Sequence, residues 1–223
     1  MKTGVSHPFI DGREFVGEVI VRAFEIMLDY GPERYAKTGD AWLNALREAF
    51  WERYKPQSES GIPGRPRIAA FGGRPQASDK KELLPSGLKH WPRWEFMHDV
   101  TLMEVQWIET AYQRSQVPVL KRTLWQVESE LKPDGTKVSE DLSKLKAGQA
   151  DYKLLIVART VQKDPVPWRN FIEHAASGIS GEAYVAEIPT YAGMTTKDFC
   201  EMDKGEIYVR GLGPQQAVQP AST

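Results

Sequence analysis

The stretch TLWQVESEL, residues 123–131, alternates its side chains with the period of two that marks a β-strand. Trp125, Val127, Ser129 and Leu131 project to one face, and Gln126, Glu128 and Glu130 to the other. The strand therefore has an apolar face and an acidic one. Two like charges side by side on a strand either stand in water or share a cation.

Downstream, Pro133, Asp134 and Gly135 form a turn signal. Ser139, followed by Glu140, Asp141, Leu142 and Leu145, reads as the capped start of a short amphipathic helix running to about Ala150. DYKLLIVART (151–160) is then a nearly continuous apolar strand, the pattern expected when both faces are covered. Strand, helix and strand over 123–160 make a βαβ unit with parallel strands and a right-handed crossover, the expected centre of the fold.

Upstream, WEFMHDVTLMEV (94–105) is rich in β-formers and carries Asp99 in its middle. Between Arg13 and Leu28, apolar residues at 15, 16, 19, 20, 23, 24 and 27 keep helical spacing, with Glu14, Glu18, Arg22 and Glu25 on the other stripe. A second helix is expected to start at Asp40 as N-cap and to bury Trp42, Leu43, Leu46, Phe50 and Tyr54 against the first. Residues 55–93 break this regularity with six prolines and five glycines and read as a long loop or flap. The segment holds Lys55, Arg65, Arg67, Arg74, Lys80, Lys81, Lys89 and Arg93 against Glu59, Asp79 and Glu82, a balance of +5 in a chain whose net charge is -1. Late in the chain, WRNFIEHAAS (168–177) reads as a helix, GEAYVAEIP and GEIYVRGL as strands, and the last residues from 213 as a disordered tail.

With 223 residues, 41% hydrophobic and 26% charged, the chain has the composition of a soluble globular protein. Its start lacks the apolar stretch of a secretory signal, and the aliphatic run LLIVA is too short to span a bilayer, so no membrane association is expected. The single cysteine, Cys200, has no partner for an internal disulfide and fits a reducing cytoplasm. The four histidines are scattered without an i, i+4 pair, which gives no support for a histidine-based metal site.

Asp99 stands among Met97, Val100 and Leu102, in a strand that should be buried. A buried carboxylate without a partner costs several kcal/mol. Its partner is either a divalent cation held jointly with Glu128 and Glu130, since hard ions take oxygen ligands, or a hydrogen bond or arginine of the protein itself.

A helix with glutamates, a strand with an aspartate, a strand bearing E-x-E, then a helix and an apolar parallel strand resemble the core of the PD-(D/E)xK nuclease superfamily. VSEDLSKLKAGQADYKLLIVA resembles the helix and strand that follow its motif. The resemblance covers residues 94–160 well and 13–28 weakly. It implies one α/β (α+β) domain over 1–212 of restriction-endonuclease-like fold, a mixed β-sheet flanked by helices. It also implies a nuclease dependent on Mg²⁺ or Mn²⁺ and acting on DNA, and it allows a homodimer, the form in which many enzymes of this fold cut both strands.

In that family the metal ligands would be Asp99 and Glu128. Glu130 stands where a lysine is usual and would accept a proton from water or help to bind metal. A glutamate of the first helix often joins such sites, which points to Glu18 and then Glu25, although Glu18 and Arg22 also form an ordinary i, i+4 pair. Lys144 or Lys146 would restore the missing positive charge, or would face solvent. Substrate backbone contacts fall to Arg65, Arg67, Arg74, Lys80 and Lys81, with Trp91, Trp94 and Phe71 stacking on bases or anchoring the loop. The missing lysine leaves an alternative, a catalytically inactive nuclease-like scaffold that binds nucleic acid or serves assembly. A third possibility is an unrelated α/β protein whose acidic strand is surface decoration.

Overall fold

The computed structural model of the chain describes residues 12–30, 38–58, 67–72, 98–110, 115–159, 164–190, 195–201 and 203–213. Their order is α1 (Gly12–Tyr30), α2 (Thr38–Ser58), β1 (Arg67–Gly72), β2 (Val100–Thr110), β3 (Ser115–Glu130), α3 (Gly135–Ala147), β4 (Tyr152–Ala158), α4 (Val166–Ala176), β5 (Glu182–Ile188), α5 (Thr196–Glu201), a 3-10 turn (Lys204–Glu206) and β6 (Tyr208–Leu212). The strands form a single mixed sheet in chain order from β1 to β6. Strand β2 is antiparallel to both of its neighbours, β1 and β3; β3, β4 and β5 are parallel, and β6 returns antiparallel to β5. The architecture is mixed α/β, and β3–α3–β4 is the parallel βαβ unit expected from the alternating strand and the apolar run.

Each face of the sheet has its own core. Phe15, Val19, Ile20 and Phe24 of α1 and Trp42, Leu46, Phe50 and Tyr54 of α2 are buried with Val100, Leu102, Trp125, Val127, Leu154 and Ile156. Burial of each such side chain contributes roughly 1.5–3 kcal/mol. Trp125 is the hub, stacked between Phe15 and Tyr152 at 5.2 and 4.9 Å between ring centres. Its indole N–H, which could not be left unpaired here, donates to the Tyr54 hydroxyl at 2.8 Å. On the opposite face, Val138, Leu142 and Leu145 of α3 and Ile172 and Ala176 of α4 cover Leu155, Val157, Ala183 and Val185. Strand β4 thus sends alternate residues into two cores, which is why it reads as unbroken apolar sequence.

Lys153 interrupts that run and is fully buried on the α3 side. Its ammonium donates to the Gly148 carbonyl at 2.9 Å, at the C-terminus of α3, and to Ser180 Oγ at 3.1 Å. A Cβ at Gly148 would lie 2.2–2.6 Å from the Gln126 amide, so that side chain would have to move to admit one.

Four local expectations are corrected. Residues 55–93 are not uniformly loop: α2 continues to Ser58, and the apolar stretch RIAAFG forms β1 by pairing with β2. The second helix begins at Thr38 rather than at Asp40. Helix α3 begins at Gly135 rather than at Ser139, because Asp134 is the cap, its Oδ1 accepting from the amides of Thr136 and Lys137. Asp99 lies immediately before β2 rather than mid-strand, in a bend with His98. The remainder of the expected basic loop, residues 94–97 and the tail after Gly213 lie outside the described residues.

Candidate active site

The register between β2 and β3 sets the site. Val100 pairs with Val127, so Asp99 falls beside Glu128 where β2 begins and β3 nears its end. Trp125, Val127 and Ser129 of β3 face α1 and α2: Ser129 Oγ accepts from Trp42 Nε1 at 2.8 Å. Glu128 consequently faces α3, where it meets Lys144. The backbone N–H of Ser129 donates to Asp99 Oδ2 at 2.8 Å, tying the start of β2 to the end of β3.

Glu128 is fully buried, and both its oxygens are engaged. His98 Nδ1 lies 2.9 Å from Oε1, and the Lys144 ammonium donates to Oε2 at 3.1 Å. The same ammonium donates to Asp141 Oδ1 at 2.7 Å. Lys144 thus bridges a strand carboxylate and a helix carboxylate, and it keeps a third N–H to give. Asp99 accepts only the Ser129 bond among the described residues.

The electrostatics follow from this crowding. Burial, then the charge of Glu128, pushes the Asp99 carboxyl up to about 7, against the Ser129 hydrogen bond. Burial also raises Glu128, although His98 and Lys144 act to hold it ionised. Desolvation pulls Lys144 down, but the hydrogen bond to Asp141 and the attraction of Glu128 outweigh it and keep the ammonium above its ordinary range. Glu128 and Asp141 both contact the Lys144 ammonium and Asp99 stands beside Glu128, so carboxylates outnumber permanent cations and the cluster is short of positive charge.

Of the residues expected at the site, Asp99, Glu128 and Lys144 are brought together. Glu130 stands on the same strand face, but its Oε1 accepts from the backbone N–H of Lys132 at 2.9 Å, at the exposed end of β3. Glu18 lies on α1, across the sheet from α3, and pairs with Arg53 at 2.9 Å. Glu25 pairs with Arg22 at 3.2 Å on the same helix. Lys146 is exposed near the end of α3. Arg67 is the first residue of β1, in register with Val105, whereas Arg65, Arg74, Lys80 and Lys81 lie outside the described residues. The connection that carries Arg74, Lys80 and Lys81 leaves β1 at Gly72, opposite Val100, and re-enters at His98, so both its ends are beside Asp99.

The sequence reading missed two participants. His98 occupies the position before the aspartate, and Asp141 sits one helical turn before Lys144. The only signal for Asp141 was its i, i+3 spacing from that lysine, on the margin of the Val138–Leu142–Leu145 stripe.

Among the described residues, no three His, Cys, Asp or Glu side chains converge as a metal cage built from protein alone. Mg²⁺ commonly takes only one or two carboxylates and completes its shell with water and phosphate. Asp99 and Glu128 fit that second pattern, as adjacent oxygen donors in a cluster short of positive charge.

The chain matches no protein-family model, no curated protein and no solved structure. Among the described residues, no helix is long and apolar enough to cross a membrane.

Proposed function

We propose that the chain is a metal-dependent nuclease of restriction-endonuclease-like fold, hydrolysing phosphodiester bonds in DNA at a centre made by Asp99, Glu128 and Lys144. The observation that carries the reading is the placement of Asp99, just before β2, beside Glu128 of β3, whose buried carboxylate meets one lysine. The order of two helices, three antiparallel strands, a helix and a parallel strand, with Asp99 at the mouth of β2 and Glu128 on β3, supports it.

Asp99 and Glu128 would hold the ion, Mg²⁺ or Mn²⁺. Bound there, such an ion offsets the negative charge of the phosphate and acidifies a water molecule. His98 fixes the Glu128 carboxylate, and Ser129 fixes that of Asp99, so that neither needs to reorganise when substrate arrives. Lys144 supplies the positive charge for which the motif otherwise uses a lysine on the strand, and its third N–H is available to a phosphate oxygen or to the attacking water. The basic connection between β1 and β2 would contact the substrate backbone, since it starts and ends at the site.

A second reading draws on the same bonds. Glu128 is already satisfied by His98 and Lys144, which is what a nucleic-acid-binding scaffold that has lost hydrolysis would retain. Cleavage of plasmid and single-stranded DNA with Mg²⁺ or Mn²⁺ separates the two. The nuclease reading expects activity in the wild type and at least ~100-fold less in Glu128→Gln. Equal rates in both proteins, or none in either, would reject it.

A further inference from the structure

We infer that Asp141 is a positioning residue, which holds the Lys144 ammonium against Glu128 and aimed at the substrate phosphate; this rests on the nuclease reading of the site.

Asp141 occupies a place where a carboxylate is costly. It is buried on the sheet-facing side of α3, next to Val138, Leu142 and Leu145, where an aliphatic side chain would pack without a desolvation penalty. It lies mid-helix, too far from the N-terminus to be stabilised by the helix dipole. Its negative charge also acts unfavourably on both Asp99 and Glu128. The compensating contact is the 2.7 Å hydrogen bond from Lys144.

The same helix provides a control. Lys137 and Glu140 have the same i, i+3 spacing, but both are 58% exposed, and they stand 3.5 Å apart. A pair of that kind is worth a few tenths of a kcal/mol and does not fix a side chain. The Asp141 side chain is only 11% exposed and short, whereas Lys144 is 38% exposed and has four rotatable bonds. Held by Glu128 alone, the ammonium could swing towards solvent. Held by Asp141 as well, it has two of its three N–H groups committed, and the direction of the third is set.

A double-mutant cycle tests this, using the full chain and Mg²⁺-dependent DNA cleavage. Asp141→Asn keeps the shape and removes the charge; Lys144→Met removes the ammonium. Each single variant is expected to lower kcat by about 30-fold or more with KM changed less than about twofold. The double variant should be no slower than Lys144→Met alone. Multiplying effects, or wild-type kcat in Asp141→Asn, would overturn the role.

A readout that needs no activity keeps the two proposals separable. The Lys144 ammonium should give a resolved ¹H–¹⁵N signal, assigned by its loss in Lys144→Met, and Asp141→Asn should abolish it. Persistence of that signal in Asp141→Asn would reject the positioning role even if the wild type cuts DNA. Its loss, together with a wild type that cuts nothing, would uphold the positioning and sink only the nuclease reading.

Discussion

Lys144 and Glu128 meet across the gap between α3 and β3, the ammonium 3.1 Å from a carboxylate that is wholly buried. Removing the lysine leaves that carboxylate with only His98 among the described residues. Lys144→Ala is therefore expected to lower cleavage by about 100-fold or more and to destabilise the fold by about 1–3 kcal/mol, the usual cost of losing a hydrogen bond to a charged group. Urea unfolding beside the cleavage assay measures both.

Asp99 makes the metal-free protein sensitive to pH in an unusual direction. Its carboxyl titrates near 7 when folded, against an ordinary value of 3.8. The folded state therefore binds the proton more tightly than the unfolded state, and stability falls as pH rises through that interval. The contribution is fully present below about 4 and is gone above about 7, a loss of a few kcal/mol at most. Comparing the unfolding free energies of wild type and Asp99→Asn at pH 4.5 and pH 8, without metal, isolates it. The wild type should lose stability relative to the variant on going to pH 8, and parallel behaviour would show that Asp99 does not titrate in this range.

Gly148→Ala tests the packing beneath the site. The added methyl would meet the Gln126 amide within 2.2–2.6 Å, so that side chain must move, and it sits in a closed environment. A loss of about 1–3 kcal/mol is expected, the usual cost of overpacking. A variant as stable as the wild type would mean that the amide has room to turn away.

Trp42→Phe removes the donor to Ser129 Oγ and leaves that hydroxyl facing the α2 core. Beyond a loss of about 1–2 kcal/mol, the strand that carries Glu128 would lose a tether to α2. Metal-dependent activity should fall less than in Glu128→Gln, because the carboxylates themselves remain. Kinetics in the two variants under one metal concentration give the comparison.

The parts of this fold that were legible in the sequence were those with a strong period. The alternation in residues 123–131 and the unbroken run from Leu154 to Ala158 follow from one-sided and two-sided burial, and α1 follows from its apolar stripe. Strand β1 was hidden because RIAAFG is short and lies between proline-rich stretches, and only its pairing with β2 makes it a strand. The start of α3 was misplaced because Ser139 and Asp134 both resemble caps, and only the geometry shows which side chain reaches the amides. At the site, Glu128 was readable as an acid in a strand, whereas Asp99, read as mid-strand, stands in the bend just before β2. The contacts of Lys144 and of His98 with Glu128 were not legible, since contacts across 16 and 30 residues depend on how α3 lies on the sheet and on where β2 begins.

The claim on which the rest depends is that Asp99 and Glu128 share one divalent ion. Substoichiometric Mn²⁺ added to ¹⁵N-labelled protein measures it, because a paramagnetic ion broadens nearby amide signals. Selective loss of the Asp99, Glu128 and Ser129 signals, absent in both Asp99→Asn and Glu128→Gln and reversed by excess Mg²⁺, is the predicted result. Signals that stay sharp at these residues, or broadening that survives both substitutions, would contradict it.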